Sequence, residues 1–254
     1  MKKKTLLLGL TVTIALMTSC TSHYQLGNVS RTRILIDKRY DAALSEKAQA
    51  FLAPYQNTVD SMMSPVVGTA AKYLYAGRPE SPLSNLLPDI LMWSGQFFNE
   101  KPQLSVYNVG GIRASFAEGK VTIGDVIDVA PFENKVCFIT LTGEKLMELF
   151  QQIAHRGGEG VSHGVELQIT ADGKLISAKL NGKEIDPAAS YRIVTLDYLA
   201  QGNDELVAFK SGTDIVSPQE EKNNVRNYIM DYFRTLAKEG KTVDSNIEGR
   251  ITVK

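Results

Sequence analysis

Two turn dipeptides, Asp172-Gly173 and Asn181-Gly182, do most to limit what this chain can fold into. Each joins a residue that tolerates positive φ to a glycine, which is the chemistry of a tight hairpin turn. They separate three β-rich runs, Val165 to Thr170, Leu175 to Leu180 and Tyr191 to Leu196, and so predict an antiparallel meander. Upstream, Leu104 to Tyr107 and Lys135 to Leu141 read as further strands, and Thr142 caps a helix through Leu146, Leu149 and Ile153. Ser81-Pro82 is an N-cap with proline at the first helical position, opening a helix through Leu86, Ile90 and Phe97 that bends at Pro88. Ser217-Pro218 with Glu220 reads as a capping box for a last helix through Tyr228 and Leu236.

A helical arm precedes these elements. Leu44, Ala48, Phe51, Leu52, Tyr55, Val59, Met62, Met63 and Val66 recur at helical spacing, and Pro54 inside the stripe kinks the helix or splits it in two. No repeat, low-complexity tract or long linker interrupts residues 40 to 254. The expectation is an α+β fold: a mixed sheet flanked by helices over 70–254, preceded by a long helical arm over 40–69. At 254 residues and 43% hydrophobic, the chain can bury a sizeable core without metal or disulfide staples. Lys plus Arg and Asp plus Glu balance at 28 each, so no broad positive field draws it to nucleic acid.

Residues 1–19 read as an export signal: Lys2, Lys3 and Lys4, then a short apolar run from Thr5 to Met17, then Thr18-Ser19. The run is too short for a membrane span. With Cys20 this end resembles a bacterial lipobox, in which the chain is cut before the cysteine and the thiol carries lipid. The other reading is an ordinary signal peptide with an incidental cysteine. On the first, residues 20–39 tether the folded body to its lipid, and the protein is exported and held in the cell envelope, in the periplasm or at the surface. Cys137 is then without a disulfide partner, and in its β-rich run it reads as a buried structural thiol.

The segment with most chemistry is Tyr107-Asn108-Val109-Gly110-Gly111-Ile112-Arg113. Paired glycines at a strand end bring bare backbone close to a ligand, and Arg113 can present a planar fork to phosphate oxygens. Alone, it reads better as a structural turn beside a surface arginine. With it come Arg78 and Glu80 ahead of Ser81-Pro82-Leu83-Ser84-Asn85-Leu86, then Gly124-Asp125-Val126, Pro131-Phe132-Glu133-Asn134, and Tyr198 to Asp204.

In this order and spacing the set resembles the C-terminal domain of the 5′-nucleotidase family, over roughly residues 70 to 253. In that family the domain recognises the nucleotide. The resemblance implies that Arg113, in a loop formed with Gly110 and Gly111, contacts phosphate, and that Asn108 hydrogen-bonds the base. It implies that Phe132 and Tyr198 clamp the base, although the family usually has Phe at the second position, and that Asp204 holds the ribose hydroxyls. Arg78 matches a second phosphate arginine with a one-residue offset. A base between two rings gains about 1–3 kcal/mol per stack, whereas plain core packing is the alternative for both rings. The glycine-rich turn of the family is here Gly202-Asn203-Asp204-Glu205, which stiffens the turn and adds a negative charge beside an anionic ligand. Val109 replaces a frequent glycine.

Full-length members hydrolyse phosphate esters with two metal ions held in a separate metallophosphatase domain. This sequence has three histidines, His23, His155 and His163, and no Gly-Asn-His-Glu or Asp-x-His segment. The expectation is therefore no catalytic residue, metal site or cofactor here. The chain would be the nucleotide-recognition subunit of a split 5′-nucleotidase, with the divalent metals in a partner metallophosphatase. A standalone nucleotide- or nucleoside-binding lipoprotein and a degenerate structural domain are the alternatives.

Overall fold

The computed structural model describes residues 27–35 and 45–254 and divides the chain into two units at Phe51/Leu52. Residues 27–35, in the first unit, are exposed and without regular structure. The signal and Cys20 lie outside the described residues. Helix α1, Glu46–Met63, begins in the first unit and ends in the second, and none of its residues is buried. It is one helix through Pro54, not two. It ends earlier than expected, because Val66 opens strand β1, Val66–Ala70, which pairs antiparallel with β3, Gly119–Thr122.

The second unit carries two larger sheets, and both mix parallel with antiparallel pairing, as expected of the fold class. The first contains β2, Leu104–Tyr107, β4, Val136–Thr142, β5, Gly160–Val161, β9, Ser190–Leu196, and β10, Thr213–Val216, in the order β10-β4-β9-β2-β5. Only β2 and β9 run parallel. The second sheet contains β6, Val165–Ile169, β7, Leu175–Leu180, β8, Lys183–Glu184, and β11, Ile251–Val253, in the order β11-β6-β7-β8, with β11 parallel to β6.

The hairpin turns form as the dipeptides predict, with positive φ at Gly173, Asn181 and Gly182. The meander does not continue through them. Beyond Asn181-Gly182 only the two-residue β8 returns against β7, while Tyr191 to Leu196 crosses to the other sheet and lies between β4 and β2. Fully buried Ile193, Val194 and Leu196 explain the move, since an edge position beside β7 would leave them in water.

Local caps hold up where they are self-contained. Ser81 and Ser84 form a reciprocal capping box on α2, Pro82–Ser94, which passes through buried Pro88 and continues as a 3-10 turn, Gly95–Phe98. Thr142 caps α4, Gly143–His155, and Thr122 with Asp125 caps α3, Ile123–Val129. The last helix is the exception. Helix α6 spans Val225–Lys238 and starts seven residues after Pro218, the first helical position the box predicts. Ser217 Oγ donates instead to Val136 O at 3.1 Å, and the Val225 amide is taken by Asn134 O at 2.9 Å. Cys137 is buried in β4, and burial pushes its thiol up to about 11, as befits an inert structural cysteine.

Candidate functional site

At the C-terminal edge of the parallel pair β2–β9 the backbone leaves the sheet in two loops, and a third arrives at the start of neighbouring β4. These loops carry the site. After β2, Asn108 leads into a 3-10 turn over Val109–Gly111, closed by Gly111 N–H to Asn108 O at 3.0 Å. Gly111 leaves room there for Asn108, since a Cβ would stand 2.7 Å from Asn108 Oδ1 and displace that side chain. Arg113 follows, exposed, its amide bonded to Val129 O at the end of α3.

Phe132 and Asn134 lie between α3 and β4. Buried Lys135 anchors this loop, donating from Nζ to Glu133 O at 3.2 Å and to Asn224 Oδ1 at 2.5 Å. After β9, the short helix α5, Asp197–Ala200, presents Tyr198. Asp197 Oδ1 accepts from the amides of both Tyr198 and Lys135, so one carboxylate joins the two ring-bearing loops. Gly202 follows, and Asp204 and Glu205 take left-handed φ of 54° and 60°.

These loops enclose a cavity of about 350 Å³ lined by Asn108, Gly110, Gly111, Arg113, Phe132, Asn134, Arg156, Tyr198 and Asp204. Seven of the eight candidate residues named from the sequence are therefore together. The eighth, Arg78, is not in the lining: its Nε donates to Gly158 O at 2.7 Å and its Nη2 to Glu159 Oε1 at 2.5 Å. Phe132 and Tyr198 are 49% and 37% exposed, so neither is the core side chain of the alternative reading. Among the described residues neither packs on another aromatic ring.

Polar contacts preset the cavity floor. Asp204 Oδ2 accepts from Asn108 Nδ2 at 2.7 Å and Oδ1 accepts from the Tyr198 hydroxyl at 2.9 Å. That bond to Asp204, aided by burial, raises the phenol above its ordinary range and keeps it a donor. Asn108 is buried and its Oδ1 has no partner.

Asn134 lies within the Pro131 to Asn134 motif but is not among the candidates named from it, and two participants, Arg156 and Glu159, carry no signal in the motifs at all. Glu159 is buried beneath the glycine turn and receives Arg156 Nε at 2.6 Å, Arg78 Nη2, and the Val109 amide at 2.5 Å. Burial opposes the Arg156 charge, but the bond and charge of Glu159, with Asp204 and Glu205, hold its pKa above the ordinary value. Its Nη2 and Nη1 stand 3.9 Å from Asp204 and Glu205, at the edge of ion-pair distance.

The donor set does not suit a divalent metal. The single lining carboxylate, Asp204, is already engaged and two guanidiniums share the cavity; among the described residues no three His, Cys, Asp or Glu side chains converge to hold an ion. His155 and His163 are exposed and outside the lining, and His163 Nδ1 lies 2.8 Å from Glu248 Oε2. The cavity brings together two exposed rings, polar side chains and two guanidiniums, a lining whose chemistry suits a ligand with aromatic, hydrogen-bonding and anionic parts.

Comparison with known proteins fits that chemistry. A family profile described as the 5′-nucleotidase C-terminal domain matches residues 66–211. Among similar proteins, UshA of Escherichia coli strain K12 is 26% identical over 170 residues, covering 65% of this chain and 31% of UshA. An apyrase of Tabanus yao is 29% identical over 170 residues, covering 59% of this chain and 29% of the apyrase. The crystal structure of a 5′-nucleotidase precursor from Thermus thermophilus superposes with a TM-score of 0.69 at 27% identity, covering 82% of this chain and 43% of that one. The chain thus spans about a third of the length of the curated relatives. With the profile matching more than half of its residues and the fold shared with a solved relative, the chain belongs to the 5′-nucleotidase C-terminal domain family.

Proposed function

We propose that this chain is the nucleotide-recognition subunit of a split 5′-nucleotidase, which presents 5′-nucleotides to a separate metallophosphatase chain. The observation that carries the reading is the convergence of two exposed rings, an amide, a carboxylate and a guanidinium on one 350 Å³ cavity. The base stacks between Phe132 and Tyr198 with its polar edge at Asn108, Asp204 takes the sugar hydroxyls, and Arg113 grips the phosphate. Stacking supplies affinity, and hydrogen bonding at Asn108 supplies specificity for the base. The chain's role in turnover is to bind and orient. The partner brings the divalent metals and the attacking water. Export, with anchoring through Cys20 and residues 20–39 as tether, is part of the same reading, supported by the charged-apolar-cysteine start.

The test has two stages. Calorimetric titration with AMP is expected to give saturable binding that Arg113→Ala weakens for AMP while leaving adenosine affinity nearly unchanged. Adding the purified chain to a candidate metallophosphatase is then expected to raise AMP turnover above that of the phosphatase alone. Binding without any such rise would leave a standalone receptor, and no binding a structural domain.

Glu205 offers a sharper check on the anion. It sits at a φ of 60° where the family pattern has glycine, and its carboxylate lies near Arg156. Glu205→Gly relieves a left-handed backbone worth about 1 kcal/mol, roughly offset by the extra freedom of the unfolded chain. The thermal midpoint should therefore stay level or rise slightly, unlike a glycine placed at ordinary φ. Removing the charge should tighten AMP binding about threefold at low ionic strength, with the gain shrinking as salt is added.

A further inference from the structure

The hydroxyl of Tyr198 does something a phenylalanine ring cannot. It donates to Asp204 Oδ1 at 2.9 Å, while Asn108 Nδ2 fills Oδ2 at 2.7 Å, so both carboxylate oxygens hold a protein donor before a ligand arrives. The geometry is braced from both sides. Asn203 Nδ2 donates to Tyr198 O at 2.8 Å across the turn, and the Tyr198 amide is fixed by Asp197 at 2.8 Å. Arg156, charged and 3.9 Å from Oδ2, balances the remaining negative charge.

A carboxylate with bare oxygens must recover donors from the ligand when water leaves, and it rejects any ligand lacking the matching hydroxyl. Here that penalty is already removed. We propose that Tyr198 makes the cavity tolerant of the sugar, so that 2′-deoxynucleotides bind nearly as well as ribonucleotides. The inference rests on the proposed nucleotide occupancy, with the sugar at Asp204. Tyr198 is thus a specificity-determining residue as well as a stacking platform.

The experiment titrates the full chain and its Tyr198→Phe variant with AMP and with 2′-deoxy-AMP. For the unaltered chain the two dissociation constants should agree within about threefold, because no charged acceptor is stranded by the missing hydroxyl. Tyr198→Phe keeps the ring and exposes Oδ1, so the preference for AMP should grow at least roughly tenfold, mainly through weaker 2′-deoxy-AMP binding. A preference above about 30-fold in the unaltered chain overturns the inference. So does a preference unchanged by Tyr198→Phe, whose melting curve reports whether it folds; should it not fold, the ratio in the unaltered chain still decides. If neither nucleotide binds, the proposed function itself fails; if both bind in the wrong ratio, only this inference does.

Discussion

Replacing Phe132 and Tyr198 together by alanine weakens AMP binding by roughly 30- to 10⁴-fold, because each stacked ring is worth about 1–3 kcal/mol and both are lost. The fold should be nearly indifferent to the change. Phe132 is half exposed and Tyr198 more than a third exposed, and neither supports another ring among the described residues. Surface truncations of this kind usually cost about 0.5 kcal/mol or less, though Tyr198→Ala also takes a donor from Asp204. Calorimetry gives the affinity and a thermal melt controls for folding. A double variant that still binds AMP within threefold of the unaltered chain would show that the base is not held between these rings. The single variants separate the contributions, since Phe132→Ala leaves the Tyr198–Asp204–Asn108 chain of hydrogen bonds intact.

The same residues show which parts of the structure were readable in the sequence. Ser81, Thr142 and the two hairpin dipeptides act within four residues of themselves, so local chemistry was enough to place them. Ser217 and Glu220 carry an equally good local signal that fails. Ser217 is drawn to Val136, and Asn224 and Val225 are pinned by the loop before β4, where Lys135 bonds Asn224 and Asn134 bonds the Val225 amide. Tyr191 to Leu196 reads correctly as a strand, but its sheet is decided by apolar residues on both faces, which favour a position flanked by two neighbours. At the site, the ordered motifs brought seven lining residues forward. Arg156 and Glu159 stayed hidden because nothing within His155 to Gly160 announces that this loop folds under Val109, about fifty residues earlier in the chain.

Glu159 is where the fold and the site are most tightly joined, and Glu159→Ala is expected to have the largest effect on stability. Its buried carboxylate takes two guanidiniums and the Val109 backbone amide. Removing it leaves the buried Val109 amide without its acceptor and releases two guanidiniums that are already partly in water, a cost of about 1–3 kcal/mol. For a domain of this size that lowers the thermal midpoint by roughly 2–12 °C. Glu159→Gln should fall between, since it keeps an acceptor oxygen but loses the charge that holds Arg78 and Arg156. The loss reaches the cavity through its neighbours: Val109 lies between Asn108 and Gly110, and Arg156 lines the same space. Nucleotide affinity should therefore fall in Glu159→Gln even at a temperature where the variant is fully folded, and circular dichroism at the titration temperature tests that condition. A midpoint for Glu159→Ala within 2 °C of the unaltered chain would show that water or a shifted backbone replaces the carboxylate. Arg78 sharpens the prediction. The resemblance assigns it to phosphate, but here its guanidinium is bound to Glu159 and Gly158, so Arg78→Ala should cost stability first and AMP affinity only through Glu159.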